Sequence, residues 1–71
     1  MIEKQIAEWV LDGLSPENNE FKFEIKYFDG VKKELSLMGL TCEYDNEIVY
    51  VWIEDNNRYL NALSELYGRQ E

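Results

Sequence analysis

Apolar and polar residues recur with two different periods along this chain, and the change from one period to the other marks its elements. Ile2, Ile6, Trp9 and Val10 lie at helical spacing with Glu3, Lys4, Glu8 and Asp12 outside the stripe, and Gly13 follows as a stop. The pattern predicts an amphipathic helix over residues 2–12. Ser15-Pro16-Glu17-Asn18-Asn19 is then a connection, because Pro16 cannot continue the helix.

From Phe21 the period becomes two. Phe21, Phe23, Ile25 and Tyr27 point one way and Lys22, Glu24 and Lys26 the other, as in a half-buried strand. Asp29-Gly30 is a hairpin signal, and a second strand is expected from about Lys32 to Tyr44. Within it Leu35 and Leu37 share one parity while Leu40, Cys42 and Tyr44 share the other, which predicts a bulge or bend at Gly39. A tight turn at Asp45-Asn46 leads into a third strand, Glu47 to Glu54, and sets Cys42 opposite Val49, Leu40 opposite Val51 and Gly39 opposite Trp52. Asp55-Asn56-Asn57 supplies caps for a last helix from about Arg58 to Tyr67, with Leu60, Leu63 and Tyr67 on one face and Gly68 ending it. The expected fold is a single α+β domain over residues 1–71: an N-terminal helix, a three-stranded antiparallel meander sheet and a C-terminal helix.

The third strand decides where function is sought. Ile48, Val49, Tyr50, Val51, Trp52 and Ile53 carry apolar side chains to both faces of the sheet, and a 71-residue domain buries only about 60% of its unfolded surface. Two short helices can cover one face and leave Ile48, Tyr50 and Trp52, together with Phe28, Leu35 and Leu37, as an interface rich in aromatic anchors. Alternatively the helices split between the faces and make the same residues ordinary core.

Charge narrows the partner. Fifteen acidic residues against seven basic ones give a net charge of -8, which opposes direct binding to nucleic acid or to an anionic membrane. From Glu34 to Asp55 there is no Lys or Arg, and Glu43, Asp45 and Glu47 alternate around the turn while Glu54 and Asp55 follow the strand. Carboxylates on alternate strand residues lie about 6.5–7 Å apart, close to neighbouring phosphates of a nucleic-acid strand. Such a ridge can occupy a groove built for DNA or RNA. The alternative is a solvated face whose charges guard an apolar strand against aggregation.

Candidate chemistry is sparse. Without histidine the commonest general base and metal ligand is missing, and the carboxylates match neither a calcium loop nor an acid/base motif. Cys42 sits on the apolar parity of its strand and is expected to be a buried, inert thiol. No catalytic residue, cofactor or metal is therefore expected, and the protein is not expected to be an enzyme. A lone cysteine and no leader or apolar span long enough for a membrane point to a soluble cytoplasmic protein.

In its short length, acidity, lack of histidine and helix-plus-meander pattern the chain resembles the small inhibitor proteins that phages and mobile elements encode, anti-CRISPR proteins among them. The resemblance is of overall character and carries over no residue. It implies an inhibitor that blocks a basic or nucleic-acid-binding host protein. The residues expected to meet that partner are Glu43, Asp45, Glu47, Glu54 and Asp55, with Ile48, Tyr50 and Trp52 as anchors. The competing expectations are a homodimer through the same sheet face, and a small immunity protein that neutralises a toxin.

Overall fold

The computed structural model describes residues 1–68. Helix α1 (Ile2–Gly13) buries Ala7, Val10 and Leu11, three positions of one helical stripe. Strand β1 is only two residues (Glu20–Phe21), and a single 3-10 turn (Ile25–Tyr27) leads directly into helix α2 (Phe28–Leu37). Strands β2 (Leu40–Asp45) and β3 (Ile48–Ile53) form a hairpin, and helix α3 (Asn56–Gly68) is the last described element. The protein is α+β, with a helix at each end of the described chain, a three-stranded antiparallel sheet, and a third helix in the middle.

The sheet order is β1-β3-β2, so the last strand in sequence is the central one and the sheet is not a sequential meander. The difference begins at Phe21. Its expected strand stops at once, and the expected Asp29-Gly30 hairpin is the first turn of α2. Phe28, Val31 and Leu35 stand at i, i+3 and i+7, with the good helix formers Lys32, Lys33 and Glu34 between them. Val31 and Leu35 enter the core. Gly30 is there for close packing: a Cβ at that position would lie 2.6 Å from Glu3 Cγ of α1.

Gly39 follows Met38, the C-cap of α2, and is not a bulge in a strand. It has φ +78°, and its N–H donates to the Ser36 carbonyl at 3.1 Å. Its own carbonyl accepts from the N–H groups of Glu54 at 2.8 Å and Asp55 at 2.9 Å, tying the end of α2 to the start of α3. The second strand therefore begins at Leu40, not near Lys32.

The hairpin turn is Asn46-Glu47, both with positive φ (49° and 72°), as a two-residue turn matched to strand twist requires. The register is consequently two residues from the expected one. Cys42 faces Val51, Leu40 faces Ile53, and Trp52 faces Thr41 instead of Gly39. A slip of two preserves which side chains share a face.

One core results. Ala7, Val10 and Leu11 of α1, Val31 and Leu35 of α2 and Leu66 of α3 meet Phe21, Leu40, Cys42, Val49 and Val51 of the sheet. All three helices thus contribute to the same side of the sheet. Within the terminal helices the buried stripe is rotated from the expected one. Trp9 is 55% exposed on α1 with its ring edge-on to Phe21 at 5.5 Å, and α3 turns Tyr59, Ala62, Leu63 and Leu66 inward while Leu60 and Tyr67 face solvent.

Candidate functional site

The sheet face away from the helices carries the residues of interest. Directly paired residues of antiparallel strands project to the same side. Glu20 of β1 pairs with Tyr50, which on its other flank pairs with Glu43 of β2. Thr41 pairs with Trp52 and Asp45 with Ile48. The face is a central apolar row, Ile48, Tyr50 and Trp52, between acidic flanks, and none of its paired strand positions is Lys or Arg.

Burial confirms that no helix covers it. Val49 and Val51 are fully buried on the helix side, whereas Ile48 and Tyr50 are half-buried and Trp52 is 41% exposed. The Tyr50 and Trp52 rings lie nearly parallel, 17° apart, with centroids 6.2 Å from each other. Residues i and i+2 of one strand are about 6.5–7 Å apart, so the rings stack along β3 as neighbours on one face. Among the described residues Glu20 and Glu43 enter no ion pair, whereas Lys26 pairs with Glu24 and Arg58 with Asp55.

The expected partner-binding residues separate into two groups. Glu43, Asp45, Ile48, Tyr50 and Trp52 come together on this face. Glu47 does not join them, because it occupies the left-handed turn and lines a surface depression with Lys22, Phe23, Ile25 and Tyr44. The alternating Glu43, Asp45, Glu47 ridge is therefore broken at the turn. Glu54 and Asp55 lie at the far end of β3, and the Asp55 carboxylate is engaged as the α3 cap: Oδ1 accepts from the N–H groups of Asn57 at 3.1 Å and Arg58 at 3.2 Å.

Phe28, Leu35 and Leu37, expected beside Tyr50 and Trp52, are on α2 instead. Leu35 is in the core, Phe28 packs against Tyr44 with centroids 5.8 Å apart, and Leu37 is 70% exposed. Glu20 is the residue that sequence reasoning passed over. Its signal was its parity, opposite to Phe21 at the start of the strand.

Cys42 lies within the core, and burial pushes its thiol pKa up against a weaker opposing pull from Lys32. The thiolate is disfavoured there. Among the described residues no three Asp, Glu or Cys side chains are gathered as a metal ion would need. An open groove of about 720 Å³ between the helices is lined by Leu11, Leu37, Met38 and Ala62, with charges of both signs at its rim. No described helix is long and apolar enough to cross a membrane. In comparisons with known proteins, no family model, no curated protein and no solved structure matched the chain.

Proposed function

We propose that the protein is a non-enzymatic, cytoplasmic binding module that docks a basic protein through the open face of its sheet. In this reading it is an inhibitor of the phage type, occupying a surface that its partner would otherwise present to nucleic acid. The observation that carries it is the Glu20, Tyr50, Glu43 row beside Trp52: an open aromatic pair in which Tyr50 has a carboxylate on each flank, neither of them in an ion pair among the described residues. Aromatic side chains supply the apolar anchor of an interface, and a one-signed rim steers a partner of opposite charge.

The net charge of -8 supports the same choice of partner. A second copy of this chain is a poorer occupant. Packing the face on its own equivalent would set Glu20, Glu43 and Asp45 of one protomer against the same carboxylates of the other, and like charges across an interface are costly.

The test is capture from a bacterial lysate, comparing the native chain with a variant carrying Glu43→Gln, Asp45→Asn and Trp52→Ala. All three side chains are exposed, so the variant should keep its circular dichroism spectrum. A basic protein that is retained at low salt, lost at high salt, lost with the variant and displaced from nucleic acid by the native chain supports the reading. Equal retention by the variant, or a stable dimer by sedimentation, sinks it.

A further inference from the structure

We infer that the open face seats an arginine side chain of the partner, its guanidinium stacked on the open face of the Tyr50 ring beside Trp52 and its N–H groups held by Glu20 and Glu43. This rests on the reading above and deepens it. Tyr50 is the centre of a row across all three strands, with Glu20 on one flank and Glu43 on the other. Neighbouring strands are about 4.8 Å apart, so the two glutamates start from points roughly 10 Å apart on either side of the phenol ring. A side chain of glutamate length spans enough of that gap for both carboxylates to reach a cation on the ring.

Both glutamates are exposed and, among the described residues, without an ion-pair partner. A planar guanidinium suits it better than an ammonium, because it can lie flat on an aromatic face and present a fork of donors to carboxylates. Ring centroids only 6.2 Å apart leave less than the roughly 7 Å that a planar group needs between two rings. The guanidinium therefore lies on a ring face that the neighbouring ring leaves open and is not sandwiched. A nucleobase would find the same stacking surface, but the flanking carboxylates repel its phosphates.

The experiment is a 1H–15N NMR titration of the full chain with a peptide of four Gly-Arg repeats and, separately, a peptide of four Gly-Lys repeats. The two indole N–H signals are independent reporters, since Trp52 is on the open face and Trp9 packs on Phe21 from α1; a Trp52→Phe variant assigns them. The Gly-Arg peptide should shift the Trp52 indole and the Glu20 and Glu43 amides, leave Trp9 unmoved, and bind roughly three-fold or more tighter than the Gly-Lys peptide. Tyr50→Leu should erase that preference while leaving both peptides weakly bound, and Glu20→Gln with Glu43→Gln should weaken both. Equal dissociation constants for the two peptides, with Trp52 shifting in each case, overturn the arginine seat and leave the docking face intact. A Trp52 signal that neither peptide moves removes the seat and the face together.

Discussion

Replacing Gly39 with alanine tests how the helices are joined to the sheet. The residue has φ +78°, where an L side chain is strained, and a Cβ there would lie 2.5 Å from the Asp55 carbonyl oxygen, 2.7 Å from Arg58 Cβ and 3.1 Å from Tyr59 N. Two of these atoms are backbone, so no side-chain rotation relieves the overlap. Left-handed backbone at a residue other than glycine costs on the order of 1–3 kcal/mol, and forced overlap in a packed region adds a similar amount. A loss of about 2–6 kcal/mol follows. For a domain of this size that lowers Tm by at least about 10 °C.

The assay is thermal and urea unfolding followed by circular dichroism, with two companions. Gly39→Asn relieves part of the backbone strain but keeps the overlap, so it should recover only a fraction of the loss. Gly68→Ala, where a Cβ meets nothing within 4 Å, should be neutral or slightly stabilising. A Gly39→Ala protein that melts within about 3 °C of the native one would refute the close joint between α2 and α3.

Two further outcomes test where the structure departs from the sequence expectation or narrows it. Leu35→Ala should cost about 2–5 kcal/mol in urea unfolding and Leu37→Ala less than about 0.5, since Leu35 is fully buried and Leu37 is 70% exposed; equal costs would return the segment to a strand, in which both share a face. Asp55→Ala should lose about 1 kcal/mol of stability through its α3 cap, whereas Glu54→Gln should lose none, so a binding defect at residue 55 that persists after correcting for stability would contradict its role as a cap alone.

The terminal helices and the β2–β3 hairpin were legible because their signals are local and agree with one another. Val49 and Val51 against Tyr50 and Trp52 follow from strand parity, and parity survived a two-residue error in register. What failed was residues 21–39, where two short-range signals pointed the wrong way. Alternating Phe21, Phe23, Ile25 and Tyr27 look like a strand, and Asp29-Gly30 looks like its turn. Gly30 in fact serves the approach of α1, and Gly39 the approach of α3, contacts between residues 27 and 16 positions apart. Window-by-window periodicity has no access to such neighbours. The open face was legible in its central row, but Glu20 entered it only through pairing with Tyr50, 30 positions away in the chain.

The position of β3 at the centre of the sheet also orders events during synthesis. Until Ile48–Ile53 has left the ribosome, Phe21 has no strand to pair with and the apolar stripes of α1 and α2 have half a core to pack on. The hairpin closes over two residues, while joining Glu20 to Tyr50 closes a loop many times longer at greater entropic cost. Folding is therefore expected to start at the C-terminal half and recruit the N-terminal half afterwards, so a nascent chain stalled just before Ile48 would expose the first two helices to chaperones and proteases.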